Sequence, residues 1–282
     1  MSGLYDKYSA KAVVNTELTA RVAFLFGKAL ARTLFNHLGC AAKILIMRDT
    51  RASGEMLESA LSAGVCAVGG NCVNLGVMPV TATSYLTAKY KMDAAVMIGA
   101  SSESAQYNGI RFFDSAGHPL NDYLIEEIKN VATGDESNIL LADAMNIGRI
   151  RRTHTGLRDY VDHVKSTASV SLGGLKIAID SSNGSASECS KLIFSELGAD
   201  VETMCNRPTG FNVNDNCGMQ CMNNLKQFVV SHKCHVGIVY SGDGSDFAII
   251  DKNGNEFFVE KTEEDAIEGS VKYVCSYAVG SK

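Results

Sequence analysis

The sequence predicts an α/β protein of two similar α/β/α modules with mixed, mostly parallel sheets, plus a C-terminal helix. Three observations predict it. Apolar runs of strand length alternate with amphipathic runs of helix length, as in a mostly parallel sheet covered on both faces. Lys43-Ile-Leu-Ile is echoed by Lys176-Ile-Ala-Ile, each followed by a polar Ser/Gly turn, a helix, a glycine and a strand, which suggests a repeated module. The chain has 282 residues, room for two domains of ordinary size.

The elements follow in order. Glu17 to Leu38 sets Val22, Leu25, Phe26, Ala29, Leu30 and Leu34 at helical spacing, with Gly39 as a stop. Lys43 to Arg48 is a buried strand, and the turn after it opens a helix running to about Gly69, with Ser53 as its cap. Cys72 to Val77 is a strand, Thr81 to Lys89 a short helix after Pro79, Ala94 to Ile98 a strand, and Asn121 to Val131 a helix. A polar passage at Thr133 to Asn138, with a basic cluster at Arg149 to Arg152 read as a solvated linker, marks a boundary near residue 150.

The second module repeats the pattern. Leu157 to Ser169 is a connecting helix, Leu175 to Ile179 a strand, Ala186 to Leu197 a helix, Asp200 to Met204 a strand and Met222 to Ser231 a helix. His235 to Tyr240 and Phe247 to Ile250 are strands, with a hairpin turn at Asn253-Gly254. Thr262 to Val279 is a helix with acids in its first turn and Ile267, Val271, Val274, Cys275 and Ala278 on one face. It opens a further domain, packs back on the second module, or meets a partner. The domains are then residues 1–150, 151–260 and 261–282.

Composition narrows the function classes. Hydrophobic residues at 46% and charged residues at 20% describe a soluble globular chain, and no apolar run is long enough to cross a membrane. The amino terminus lacks the basic start and apolar core of a signal peptide, so a cytoplasmic protein is expected. A net charge of −5 leaves no electrostatic footprint for nucleic acid. Nine cysteines without a Cys-x-x-Cys pair predict free thiols and no structural disulfide. Cys217 and Cys221, with His232, Cys234 and His235 following, leave a zinc site open, buried free cysteine being the commoner use of such residues.

The chemistry centres on Met97 to Phe113. A buried strand ends at Ile98, a loop of small residues follows, and Asn108-Gly109 turns into a second strand. Sites in α/β sheets lie beyond the carboxyl ends of strands, which places Ser101 where a nucleophile would be expected. The same loop also reads as a polar connection between strands, the commoner case.

Asn15-Thr16-Glu17-Leu18-Thr19, Arg48-Asp49-Thr50-Arg51-Ala52-Ser53-Gly54 and the Met97–Phe113 loop resemble segments of the α-D-phosphohexomutases, and most closely the phosphoglucosamine mutases. Asp180-Ser-Ser-Asn183-Gly184 and Asn212-Val213-Asn214-Asp215 with Cys217-Gly218 extend the resemblance through the second module. It covers the first two of the family's four domains and the helix that opens the third. The resemblance implies phosphoryl transfer between a phosphoserine and a bound sugar phosphate, with Mg²⁺ held by three aspartates in Asp-Gly-Asp-Gly-Asp-Arg. Ser101 falls on the phosphoserine.

Other positions depart from the family. His-Asn-Pro after the serine is Ser102-Glu103-Ser104, which sets a carboxylate beside an intended phosphate. The metal loop is Ser241-Gly242-Asp243-Gly244-Ser245-Asp246, so Asp243 alone stays in register, with Asp246 as a second acid, and the implied Mg²⁺ site is weakened or lost. Arg111 stands at the general-base lysine, and a guanidinium cannot serve as a base at neutral pH. Lys11 stands where the family carries an arginine, in a segment that has lost its glycines.

These departures imply a catalytically impaired pseudoenzyme acting in binding or assembly, the alternative being a residual mutase or phosphatase that uses Ser101 with Mg²⁺. They weigh against sugar-phosphate binding, and no nucleotide or organic cofactor is expected. Relatives that pair through their first domain imply a homodimer, or a hetero-oligomer with a full-length mutase.

Overall fold

The computed structural model describes residues 11–134, 139–257 and 266–280. By compactness the chain forms two units: Met1–Val77, Thr83–Ala100 and Gln106–Thr155 make the first, and Met78–Ala82, Ser101–Ala105 and Gly156–Lys282 the second.

The first unit contains, in chain order, β1 (Ala12–Val13), α1 (Ala20–Leu38), β2 (Lys43–Arg48), α2 (Ser53–Ala67), β3 (Asn71–Val77), α3 (Ala82–Lys89), β4 (Ala94–Ile98), β5 (Tyr107–Asn108), β6 (Ile110–Phe113), α4 (Asp122–Thr133) and β7 (Ile150–Arg152). Its five-stranded sheet runs β6-β4-β2-β3-β7, parallel except for β6, while β1 and β5 form a separate antiparallel ribbon. Helix α1 begins where the Thr19 hydroxyl accepts from Val22 N at 3.3 Å, and it ends at Gly39, whose φ of 70° closes the last turn. Ile44, Ile46, Val96 and Ile98 point from alternate strand positions into one core with Phe26, Leu30, Leu57 and Leu61. The two-residue alternation of the strands thus meets the helical stripe foreseen for α1 and the buried face of α2.

The second unit contains α5 (Thr155–Ser166), β8 (Lys176–Asp180), α6 (Ala186–Glu196), β9 (Asp200–Met204), α7 (Met222–Ser231), β10 (Val236–Tyr240), β11 (Phe247–Asp251), β12 (Glu256–Phe257) and α8 (Ala266–Gly280). Its sheet runs β12-β11-β10-β8-β9, with β9, β8 and β10 parallel and the β11–β12 hairpin antiparallel. Gly254 turns that hairpin at φ 85°, as Asn253-Gly254 required.

The structure corrects two readings and bears on a third. Ser53 is the first residue of α2 rather than its cap; Ala52 is helical and makes no side-chain cap, and the Ser53 hydroxyl accepts from Asn108 Nδ2 at 2.9 Å. The basic cluster is not a linker: Ile150 to Arg152 pair in parallel with Cys72 to Asn74 as an edge strand, solvated on its side chains but hydrogen-bonded along its backbone. Exposed charged residues at a sheet edge are a common guard against edge pairing, and they mask the strand in a hydropathy pattern. Helix α8 packs back on its own module, burying Ile267, Val271, Val274, Cys275 and Ala278, and Ser270 shares a 2.6 Å hydrogen bond with the Tyr240 hydroxyl. The acidic residues expected to open it, Glu263 to Asp265, lie outside the described residues.

Candidate functional site

Strand β4 ends at Ile98, and three residues later the chain enters a turn with Ser101 in the left-handed region at φ 41°. A non-glycine residue there is uncommon and is sustained only by its surroundings. Those surroundings lie in the second unit, to which residues 101–105 belong. Asn214 Nδ2 donates to the carbonyls of Ser101 and Glu103, each at 2.8 Å, and Gln220 Nε2 donates to the carbonyl of Ser102 at 3.1 Å. Gly242 allows the close approach, since a Cβ there would stand 2.7 Å from the Ser101 carbonyl oxygen and 2.9 Å from Asn214 Nδ2.

The part-buried Ser101 hydroxyl shares a 3.2 Å hydrogen bond with the Ser245 hydroxyl. Ser245 Oγ donates to Asp246 Oδ2 at 2.9 Å and shares a 3.2 Å bond with Ser241 Oγ. Asp243, with 0% exposure, accepts from Ser245 N at 3.0 Å and from Ser241 Oγ at 3.3 Å on one carboxylate oxygen. Ser101, Ser241, Asp243, Ser245 and Asp246 therefore form one hydrogen-bonded cluster. Arg111 lies on β6 opposite Met97, and Lys11 is exposed just before β1; both belong to the first unit.

The cluster answers the magnesium implied by resemblance. A hard dication that keeps near-ideal octahedral oxygen coordination is held chiefly by carboxylate charge. The loop presents Asp243 in register, Asp246 as a second acid at the arginine position and two hydroxyls, with Ser241 Oγ engaged by Asp243 and Ser245, and Ser245 Oγ by Asp246 and Ser101. This donor set does not fit a loop-held Mg²⁺.

The zinc reading from spacing is corrected. His235 Nδ1 accepts from Lys176 N at 2.9 Å, His232 stacks on Phe228 with ring centroids 3.8 Å apart, and Cys234 packs in the core with Leu225 and Val229. Among the described residues, the groups close enough to share a metal are instead Asp180, Cys205 and Cys217. All nine cysteines are free. Burial pushes the Asp180 carboxyl above its usual range, against the opposing hydrogen bonds from Gly218 N, Ser182 N and the Cys205 thiol. The Cys205 thiol beside it, then burial, push the Cys217 thiol up.

Sequence reasoning missed Asn214 and Gln220 as supports of the serine loop, and Cys205 and Asp180 as neighbours. Asn214 carried a signal within the Asn212-Val-Asn214-Asp segment; Gln220 carried none, because a side chain bonding to a backbone more than a hundred residues away leaves no local pattern.

Comparison with known proteins agrees with this fold. A family model described as phosphoglucomutase/phosphomannomutase, alpha/beta/alpha domain I, matches residues 4–138, and its domain II counterpart matches residues 158–254. A phosphoglucosamine mutase from Clostridium beijerinckii is 42% identical over 255 residues, and one from Acetivibrio thermocellus is 40% identical over 255 residues. In both cases 90% of this chain is matched, and the chain spans 57% of the relative's length. A phosphoglucomutase/phosphomannomutase family protein from Burkholderia thailandensis superposes with a TM-score of 0.78 at 20% identity, covering 91% of this chain and 56% of that one. The open form of pp63/parafusin from Paramecium gives 0.65 at 14% identity, covering 84% of this chain and 50% of that one. Two domain models in their family order, and relatives at about 40% identity along nine-tenths of the sequence, leave one assignment: the chain belongs to the phosphoglucomutase/phosphomannomutase family, the α-D-phosphohexomutases.

Proposed function

We propose that this chain is a phosphohexomutase relative impaired in mutase chemistry, acting through binding or assembly. One observation carries the reading. The hydroxyl of Ser101, at the phosphoserine position, pairs at 3.2 Å with the neutral hydroxyl of Ser245, where the resemblance calls for a carboxylate holding a dication. Phosphoryl transfer depends on neutralising charge on the moving group, and a hydroxyl supplies no such charge. Glu103 and Arg111 act in the same direction, one adding negative charge near the serine and the other replacing a base.

The test is an assay of purified chain with Mg²⁺, glucosamine 1-phosphate or glucose 1-phosphate and a hexose bisphosphate, product being coupled to a dehydrogenase. The expected rate equals that of Ser101→Ala. Turnover that disappears in Ser101→Ala would establish the second reading, a residual phosphotransferase or phosphatase. One observation favours that alternative: Ser101 is linked through Ser245 to the Asp246 carboxylate, a route by which a hydroxyl proton could be drawn off.

The assembly role takes as its partner a second copy of the chain or a full-length mutase. Size-exclusion chromatography with light scattering is expected to give twice the 30.1 kDa chain mass. A strict monomer at high concentration, alone and mixed with such a mutase, counts against it. Among the described residues, no helix is long and apolar enough to cross a membrane.

A further inference from the structure

Asp180, Cys205 and Cys217 have no part in the chemistry proposed for Ser101. They come from three places in the second unit: the last residue of β8, the turn after β9, and the segment entering a 3₁₀ turn at Gly218–Gln220. A carboxylate oxygen and the two sulfurs all lie within 4.8 Å of one another. In a tetrahedral zinc site with metal–sulfur bonds of about 2.3 Å, neighbouring donors stand roughly 3.8 Å apart. Moves of less than about an ångström per side chain bring all three onto one cation.

The donors are also held in place. Asp180 Oδ1 accepts from Ser182 N at 2.8 Å and Oδ2 from Gly218 N at 3.0 Å, and Asn183 Nδ2 approaches Cys217 Sγ at 3.8 Å. Partners of this kind orient metal ligands in known sites. Asp180 and Cys217 have 0% exposure, while Cys205 is half-buried and gives solvent a way in. Cys205 sits at φ 48°, with Ser182 and Asn183 at 55° and 49°, so the backbone around the group is held in conformations side chains avoid.

A core explanation accounts for two cysteines as small apolar fillers. It does not account for a carboxylate set against their sulfurs. The described partners of that carboxyl are two backbone N–H groups and the Cys205 thiol, so it is fixed in place facing a sulfur.

We infer that Asp180, Cys205 and Cys217 form a binding site for a thiophilic divalent cation of the zinc type. Two thiolates select such an ion over magnesium, so this site is chemically separate from the Ser241–Asp246 loop. Each thiol gives its proton to solvent as its sulfur–metal bond forms, two protons leaving for each ion bound. Three protein donors leave a fourth position for water or an outside ligand.

Cobalt(II) is the probe. Reduced, chelator-stripped full chain titrated with Co²⁺ in the absence of oxygen is expected to bind one equivalent, with thiolate-to-cobalt charge-transfer absorption and tetrahedral d–d bands that Zn²⁺ abolishes. Cys205→Ser, at the half-buried ligand, is expected to weaken binding roughly 10–100-fold or more with unchanged circular dichroism. Cys221→Ser is expected to bind as the parent does. Absence of the charge-transfer band overturns the inference, as does a band that survives in Cys205→Ser. Should Cys205→Ser fold poorly, Asp180→Asn provides the second test, a parent-like titration again overturning the site.

Discussion

Arg51→Met is expected to destabilise the first unit by about 3–5 kcal/mol. Arg51 and Asp49 both have 0% exposure, and Arg51 Nε donates to Asp49 Oδ2 at 2.8 Å. The pair is also a backbone organiser. Asp49 Oδ1 accepts from Arg51 N at 3.0 Å, and Arg51 Nη1 donates to the Tyr107 carbonyl at 2.9 Å, holding the short β5 strand. Methionine fills most of the volume, so the expected loss comes from removing the guanidinium held 2.8 Å from a buried carboxylate rather than from a cavity. Asp49→Asn should cost a similar amount by stranding the guanidinium. The double variant Asp49→Asn/Arg51→Met should recover part of the loss, because no unpaired charge remains. Urea unfolding, with hydrogen exchange assigning the change to the first unit, measures this. A loss below about 1 kcal/mol would show the pair to be no stronger than an exposed one.

Gly64→Ala is expected to cost about 2 kcal/mol or more, although alanine is the better helix former. Propensity favours the change by about 1 kcal/mol. Space opposes it: a Cβ on Gly64 in α2 would overlap the Phe24 carbonyl oxygen of α1 and stand 2.9 Å from both the Phe24 carbonyl carbon and Lys28 N. These atoms are backbone, so no rotamer change relieves the clash. The contact is reciprocal, since a Cβ on Gly27 in α1 would overlap the Leu61 carbonyl oxygen and stand 3.1 Å from Val65 N. The two helices touch backbone to backbone, and one methyl group forces them apart along a face that buries Phe26, Leu30, Leu57 and Leu61. Overpacking of this sort costs about 1–3 kcal/mol where side chains can yield, and more where they cannot. Thermal unfolding of Gly64→Ala beside Gly27→Ala checks it, and an unchanged or raised midpoint would refute the steric argument.

Much of the fold was legible because burial imposes a period. Lys43–Arg48, Ala94–Ile98, Asp200–Met204 and Met222–Ser231 fall where the pattern put them, and α1 and α4 lie within a few residues of expectation. What was not legible had no burial to record. The two-residue β1 and β5 are too short for a pattern, and β7 turns three exposed side chains outward, so its strand character lies wholly in backbone hydrogen bonds. The same limit applies to the site. Ser101 and Asp243 could be singled out from motifs, but their link through Ser245 joins residues 144 apart in sequence. Asp180, Cys205 and Cys217 meet only because three segments come together, and no spacing rule connects them.

Among the described residues, seven of the second unit hold a left-handed backbone without being glycine, and six of them, Ser101, Ser182, Asn183, Cys205, Asn214 and Asn216, lie in the loops around Ser101 and Asp180. They are tied to one another, Asn214 N donating to the Ser182 carbonyl at 2.9 Å and Asn214 Nδ2 to that of Ser101. The ordering of these loops is therefore completed when the chain folds. A small molecule or ion that arrives later meets groups already aimed, and its affinity is not spent on freezing them. The loops around Ser101 and Asp180 are thus a preformed framework, rigid before any ligand arrives.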